Sequence, residues 1–191
     1  MRKSLALLLA LFILPTVLCA CGKTDTASTA NTSNTPYTIS TNEDLTYSYK
    51  IIANNGTVLF SDDCSPREPK ISQISDNLFS VTIQTGTGRS TNWAVFCDVA
   101  NAKTSETFQY VLGAQDNYVF YVEVNDGNHL LVVQDIFDSN IYRKTYTLQN
   151  CSIFADPICE LTFDGKGKAT ITYLTGTENA ISQTSATIYF P

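Results

Sequence analysis

The sequence predicts an all-β protein built from antiparallel sheets that pack face to face, as a sandwich or as an open meander. The first observation is a set of Gly-bearing turns, each between two runs of β-prone residues. These turns lie at Asn54–Gly56, Asn125–Asn128 and Asp164–Gly167. Such a turn between two β-prone runs is the sequence signal of a hairpin. The second observation is that the sequence shows no convincing helical period after residue 44.

The runs between these turns alternate with the period of two that a half-buried strand requires. In LFSVTIQ, one face carries Phe79, Val81 and Ile83, and the other carries polar residues. WAVFCDV, KATITYL and ATIYF alternate in the same way. YVFYVEV is apolar on both faces as far as Val122, which is typical of a central strand covered on both sides. We expect about ten or eleven strands, with short turns of helix near residues 62–68 or 138–142.

Four consecutive runs resemble one blade of a β-propeller: WAVFCDV, ETFQYVL, NYVFYVEV and HLLVVQD. A closed propeller requires at least four blades of four strands. The expected strands suffice for fewer than three blades, so closure within one chain is not expected. The resemblance therefore indicates propeller-blade-like hairpins and nothing more.

The first 20 residues have the composition of an export signal. Arg2 and Lys3 supply positive charge, and the run from Ser4 to Leu18 is almost wholly apolar. This run is too short for a bilayer span, which needs roughly 20 apolar residues. The small residue Ala20 stands just before Cys21, as cleavage by a signal peptidase requires.

Leu18-Cys19-Ala20-Cys21 resembles the lipobox of bacterial lipoproteins. The resemblance covers the first two dozen residues and implies nothing about the folded domain. It implies that residues 1–20 are removed and that Cys21 carries a diacylglyceryl thioether and a further acyl chain, such as palmitate. Two acyl chains anchor a protein stably, which would place the chain on the extracytoplasmic face of the cell membrane. The alternatives are a soluble secreted protein and an uncleaved membrane helix.

Residues 21–43 are expected to form the lipidated N-terminus and a flexible tether, and residues 44–191 a single all-β domain. Thr, Ser and Asn dominate the stretch from Gly22 to Glu43, where Tyr37 and Ile39 are the only sizeable apolar residues. Such a composition cannot bury enough surface to offset the entropy lost on ordering. Residues 44–191 are close to the commonest size for one domain.

The charge of the chain excludes one class of partner. The formal net charge is −6 at pH 7, and loss of residues 1–20 removes two positive charges and leaves −8. Binding to nucleic acid needs clustered Lys and Arg, so a nucleic-acid partner is not expected. Direct adhesion to anionic lipid without the acyl anchor is not expected either.

Four cysteines lie in the predicted exported domain, where disulfides are permitted. Cys151 and Cys159 flank SIFADPI, whose proline helps the chain to turn back, and they form the first expected pair. Cys64 and Cys97 form the second. Alternatively, Cys97 is a small buried hydrophobe on the apolar face of its strand. The sequence has no C-x-x-C motif, so we expect no metal site.

The sequence carries few signs of catalysis. His129, the only histidine, follows a hairpin turn and is expected to face solvent. A G-x-S-x-G motif is missing, and no Ser or Cys stands out as a nucleophile. Gly86–Ser90 is similar to a phosphate-binding loop, but it lacks the following Lys and a helix, so a plain loop between strands is expected. We expect no cofactor.

Paired carboxylates remain as a route to hydrolysis, because glycoside cleavage uses two acids across a sugar. The candidate pairs are Asp62 with Asp63, Asp135 with Asp138, and Glu123 with Asp126. Asn125, Asp126 and Asn128 offer oxygen atoms to calcium, but their loop is too short for an EF-hand.

Aromatic residues in or near the predicted strands either form the core or stack on sugar rings or a peptide. They are Trp93, Phe96, Phe108, Tyr110, Tyr118, Phe120, Tyr121, Tyr142 and Tyr146. The leading prediction is a membrane-anchored binding or interaction module of the cell envelope without catalytic activity, with a protein or glycan partner. The alternatives are a small cell-envelope hydrolase that uses two carboxylates, and a structural subunit whose open sheets complete those of a partner.

Overall fold

The all-β prediction is confirmed. A computed structural model describes residues 35–152, 156–165, 167–177 and 179–191. Within these residues the chain forms fifteen β-strands and one short 3₁₀ turn, Arg89–Thr91. All strand pairings are antiparallel, and the sheets do not close into a barrel.

The strands form four meandering sheets that follow one another along the chain. Sheet 1 contains β1 (Tyr37–Thr41), β2 (Tyr47–Ile52) and β3 (Val58–Ser65). Sheet 2 contains β4 (Lys70–Gln73), β5 (Leu78–Gln84), β6 (Asn92–Asp98), β7 (Lys103–Thr104) and β8 (Phe108–Gln109). Sheet 3 contains β9 (Val111–Gln115), β10 (Tyr118–Asn125), β11 (Asn128–Asp135) and β12 (Arg143–Thr147). Sheet 4 contains β13 (Ile158–Phe163), β14 (Lys168–Thr177) and β15 (Ala180–Tyr189).

Three hydrophobic clusters join the sheets in chain order. The first lies between sheets 1 and 2 and includes Ile51 and Val81. The second lies between sheets 2 and 3 and includes Phe96. The third lies between sheets 3 and 4 and includes Phe120 and Ile171. The domain is therefore a stack of sheets in which each neighbouring pair shares a core.

Alternation along the strands explains why sheets 2 and 3 are buried on both faces. In β6, Val95 and Cys97 face sheet 1, whereas Ala94 and Phe96 face sheet 3. In β10, Phe120 joins the core toward sheet 4 and its neighbours join the core toward sheet 2. The prediction of a central strand for YVFYVEV is therefore confirmed.

The chain crosses from sheet 2 to sheet 3 at Tyr110. This residue has a φ of 51°, in the left-handed region that side chains rarely adopt. Its N–H donates to the carbonyl of Asn92 (2.7 Å), and its carbonyl accepts from the N–H of Val122 (3.1 Å). As a result, the four runs that resemble one propeller blade lie in two sheets: WAVFCDV and the β8 part of ETFQYVL in sheet 2, and the rest of ETFQYVL with the two later runs in sheet 3.

Three details differ from the sequence-based expectations. The described residues form fifteen strands rather than ten or eleven, partly because β7 and β8 have two residues each. Residues 37–41 lie in β1 rather than in a tether, because the alternating β-prone run YTIST pairs with β2 along its whole length. The short helical segments expected near 62–68 and 138–142 are absent from these described residues, since Asp62–Ser65 belong to β3 and Asp138 holds a turn.

Among the residues that the structure describes, none belongs to a helix that is long and apolar enough to cross a membrane.

Candidate functional site

A groove of about 560 Å³ opens at one end of sheets 1 and 2, and we call it the polar groove. Its lining combines the start of β1, the end of β2, and the turn between β4 and β5. The lining residues are Thr35, Pro36, Tyr37, Thr38, Ile52, Ala53, Asn54, Gln73, Asp76, Asn77, Phe79 and Val99.

Backbone hydrogen bonds hold the walls of the polar groove together. The N–H of Asn54 donates to the carbonyl of Val99 (2.8 Å), and the N–H of Val99 donates to the carbonyl of Asn77 (2.9 Å). These bonds join the turn after β2, the end of β6 and the turn before β5. Tyr37 and Phe79 both line the groove, and their ring centroids are 6.2 Å apart. The groove is therefore built on fixed backbone, not on long side chains.

The rim of the polar groove carries polar side chains without internal partners. Asn54, Gln73, Asp76 and Asn77 are all exposed. Within the described part of the chain, none of these four side chains makes a hydrogen bond or an ion pair. Amides and a carboxylate offer both donors and acceptors beside an aromatic ring. This combination suits a ligand with many hydroxyl or amide groups and an apolar ring face.

A second groove, of about 470 Å³, carries two acids, Glu106 and Glu123. Arg143 Nη2 donates to Glu123 Oε1 (2.7 Å), and Gln134 Nε2 donates to Glu106 Oε1 (3.0 Å). The Tyr121 hydroxyl contacts both of these hydrogen-bonded pairs, 3.0 Å from Gln134 Oε1 and 3.3 Å from Glu123 Oε1. Burial is the largest cause that raises the pKa of Tyr121. The sequence identified Glu123 as a candidate acid but paired it with Asp126, and it missed Glu106.

The loop that resembles a phosphate-binding loop does bind an anion, but the anion is a carboxylate of the same chain. The backbone N–H groups of Arg89 and Ser90 donate to Asp156 Oδ2, the latter at 3.3 Å. Gly88 has a φ of 96°, and a Cβ there would lie 3.4 Å from the same oxygen. The Tyr110 hydroxyl donates to Asp156 Oδ1 (2.5 Å). The loop is therefore structural, as the sequence predicts, and it joins sheet 2 to the segment before β13.

His129 is buried, with 9% of its surface exposed, so the expectation that it faces solvent is wrong. Alternation in β11 places His129 on the same face as Leu131 and Val133, which points toward sheet 4. Burial lowers the pKa of His129, and the negative charge of Asp156 partly opposes this shift. In the described part of the chain, its Nδ1 atom has no hydrogen-bond partner. No hydrogen bond links it to a nucleophile there.

Neither expected disulfide is present, because Cys97, Cys151 and Cys159 are free thiols. Cys151 lies opposite Thr175 of β14, whereas Cys159 lies in a bulge beyond the pair formed by Ile158 and Tyr173. The two cysteines are thus offset by about 8 Å along the same strand, and a disulfide needs Cα atoms closer than about 7 Å.

The two cysteines of the second expected pair, Cys64 and Cys97, differ in burial. Cys97 lies in the core between sheets 1 and 2, as the alternative reading of a small buried hydrophobe predicts, and Cys64 lies at an exposed position near the end of β3. Burial raises the pKa of the Cys97 thiol to about 11. Burial also raises the pKa of Cys151 to about 11.

Two of the remaining candidate acids, Asp62 and Asp135, accept hydrogen bonds from nearby backbone N–H groups. Asp62 Oδ1 accepts from the N–H of Cys64 (2.9 Å), and Asp135 Oδ1 accepts from the N–H groups of Phe137 and Asp138 (both 2.9 Å). Asp138 Oδ1 accepts in the same way from the N–H of Asn140 (2.9 Å). The candidate calcium loop is the tight turn between β10 and β11, in which Asn125 pairs with Asn128. In the described part of the chain, no cluster of three or more His, Cys, Asp or Glu could hold a metal ion.

Most of the candidate aromatic residues form core, which is the simpler of the two readings. Phe96, Phe108, Tyr110 and Phe120 are buried. The others are half-buried and pack against the three hydrophobic clusters: Trp93, Tyr118, Tyr121, Tyr142 and Tyr146. Of the two aromatic residues at the polar groove, Tyr37 and Phe79, the first lies in the stretch predicted as tether. Cys21 lies outside the described residues.

A scan against protein-family models matches no family, and searches of the curated proteins and of the solved structures give no match.

Proposed function

We propose that this chain is a lipoprotein anchored to the extracytoplasmic face of the cell membrane through Cys21. We further propose that its domain is a non-catalytic module that binds a glycan of the cell envelope. The polar groove is the observation that carries the binding proposal. Asn54, Gln73, Asp76 and Asn77 present unpaired polar groups around Tyr37. The lipobox-like sequence at Cys21 supports the anchor.

Sugar recognition fits the chemistry of the polar groove better than recognition of an apolar or anionic ligand. Planar amides and carboxylates hydrogen-bond to pairs of hydroxyl groups, and aromatic rings contact the C–H face of a sugar. The described groove residues include no Lys or Arg that would attract phosphate or another anion. Because the walls are joined by backbone hydrogen bonds, binding needs little ordering of the site.

Co-sedimentation of the full-length protein with purified peptidoglycan tests the binding proposal. We expect Asp76→Ala to reduce retention about tenfold, which corresponds to about 1.4 kcal/mol. Glu68→Ala is the matched control, because it removes the same charge from an exposed residue outside the groove. Equal retention of the wild type and both variants would show that the groove does not bind this glycan.

A second candidate function is a cell-envelope hydrolase that uses Glu106 and Glu123. The presence of both acids in one groove favours it. Glu123 is engaged by Arg143 and Glu106 by Gln134, so neither acid is free to act as proton donor without a change of partner. Release of reducing sugar from peptidoglycan by the wild type, lost in Glu106→Gln, would favour the hydrolase over the binding module.

A further inference from the structure

Among the described residues, no strand pairs with the outer edge of the last strand, β15, which leaves a long edge of sheet 4 uncovered there. The sheet order is β13-β14-β15, so β15 has one strand neighbour. Its ten residues, Ala180 to Tyr189, pair continuously with β14. An edge strand presents a row of backbone N–H and C=O groups that can pair with another strand.

The register identifies which backbone groups point away from the sheet. The N–H of Phe190 donates to the carbonyl of Gly167 (2.9 Å), so Phe190 forms a hydrogen-bonded pair directed toward β14. Residues in an antiparallel pair alternate between hydrogen-bonded and non-hydrogen-bonded positions. The even-numbered residues of β15 therefore bond to β14, and the odd-numbered residues direct their N–H and C=O groups outward. Consistent with this, the carbonyl of Tyr189 accepts from the hydroxyl of Tyr146 (2.8 Å).

The edge of β15 lacks the features that usually prevent strand addition. Proteins protect edges with charged residues, proline or bulges. β15 has the sequence AISQTSATIY, without a charge or a proline, and its register with β14 has no irregularity. By contrast, the edge strand β12 of sheet 3 carries Arg143 and Lys144.

Two exposed apolar residues are placed symmetrically on β15. Ile181 is 51% exposed and Tyr189 is 66% exposed. Both are odd-numbered, so both side chains lie on the outer face of sheet 4, and Ser185 lies midway between them. If a second β15 pairs antiparallel about Ser185, Ile181 lies opposite the partner's Tyr189 and Tyr189 lies opposite the partner's Ile181. Aromatic and β-branched residues form favourable cross-strand pairs.

We propose that two copies of this chain associate through antiparallel pairing of their β15 strands, with Ser185 facing the partner's Ser185 on a two-fold axis. The odd-numbered residues then form hydrogen-bonded pairs across the axis, about ten backbone hydrogen bonds in all. The two three-stranded sheets become one six-stranded sheet. Such an isologous contact is self-complementary and closes at a dimer.

Charge explains why this strand is a suitable contact between identical copies. The chain is acidic, with a formal net charge of −6, so two copies repel each other over most of their surface. β15 carries no charge, and on the outer face of sheet 4 its Ser185 is hydrogen-bonded to Thr172 of β14 (3.0 Å). The Tyr146 hydroxyl uses one lone pair of the Tyr189 carbonyl and leaves the second available. This surface is separate from the polar groove, which lies between sheets 1 and 2.

Cysteine cross-linking in cells that express the full-length chain tests the register. In Ser185→Cys the two new cysteines would face each other with Cα atoms about 5.5 Å apart, within the range of a disulfide. In the matched control Thr187→Cys, each new cysteine lies opposite the partner's Gln183, so the two cysteines are about 14 Å apart along the strand. We expect a covalent dimer in Ser185→Cys at several times the level in Thr187→Cys and in the parent chain, which carries the native cysteines. Equal or background cross-linking in both variants would overturn the proposal.

The mass of the detergent-extracted protein tests association without a new cysteine. We expect the wild type to have twice the mass of one chain, and Ser185→Lys to have the mass of one chain with the far-UV circular dichroism spectrum of the wild type. Ser185→Lys places two positive charges opposite each other at the axis, and the Ser185 backbone does not bond to β14. A wild type with the mass of one chain, or a dimer that survives Ser185→Lys, would overturn self-pairing. A complex that contains one copy and a different protein would also overturn it.

Discussion

Replacing Asp156 with alanine is expected to destabilise the domain by about 2–3 kcal/mol. The main cost comes from Tyr110, which is 6% exposed and whose hydroxyl donates to Asp156 Oδ1. A buried donor that loses its partner costs about 1–3 kcal/mol. The N–H groups of Arg89 and Ser90 also lose their acceptor, but these residues are exposed and water replaces the carboxylate, so we expect each to add a few tenths of a kcal/mol.

Urea denaturation of the wild type, Asp156→Ala, Tyr110→Phe and the double variant measures this interaction. Tyr110→Phe removes the hydroxyl and leaves the ring in the core. The double variant should therefore cost less than the sum of the single variants by about 1–2 kcal/mol. Asp76→Ala is the control for loss of an exposed carboxylate and should stay within about 0.5 kcal/mol of the wild type. Additive single variants would refute the claim that Asp156 satisfies the buried phenol.

Further predictions concern buried groups elsewhere in the domain. The free energy of unfolding should fall as the pH drops from 7.5 to 5.5, because the unfolded chain binds a proton near the ordinary His pKa of about 6.5 while burial lowers the pKa of His129 in the folded chain. Urea midpoints measure the fall. The same pH dependence in His129→Gln would contradict its assignment to the single histidine. Alkylation of the native protein at pH 8 should modify Cys159 first and leave Cys97 unmodified, because burial raises the pKa of the Cys97 thiol to about 11 and little thiolate forms. Peptide mass mapping gives the order of modification. Rapid labelling of Cys97 would contradict its burial. Trp93→Ala should lower the free energy of unfolding by about 2–3 kcal/mol, less than the loss of a fully buried Trp, because the side chain is half-buried. Thermal unfolding followed by circular dichroism measures this loss. An unchanged melting temperature would show that the ring contributes no packing.

Local alternation predicted strands such as β5, β6 and β14. Phe79, Val81 and Ile83 share a face in the sequence and share the core between sheets 1 and 2 in the structure. The same rule places His129 on the face of Leu131 and Val133 and thus indicates its burial. The hairpin-turn context suggested exposure instead, because a residue beside a turn is usually solvated.

The grooves and the Asp156 contact could not be predicted in this way, because they depend on residues far apart in the chain. Asp156 bonds to backbone 66 and 67 residues earlier, and a backbone donor leaves no mark in the sequence. Glu106 and Glu123 share a groove only because the chain crosses between sheets at Tyr110. The polar groove depends on β1, and β1 lies in a stretch whose composition favours disorder.

Metabolic labelling with an alkyne analogue of palmitate tests the proposed anchor most directly. We expect label on the wild type and on Cys19→Ser, because Cys19 leaves with the signal, and no label on Cys21→Ser, whose precursor should accumulate. Cys19→Ser is the matched control, since it changes the same side chain two residues away. Label on Cys21→Ser, or an unlabelled wild type, would contradict the proposal that Cys21 anchors this protein to the membrane.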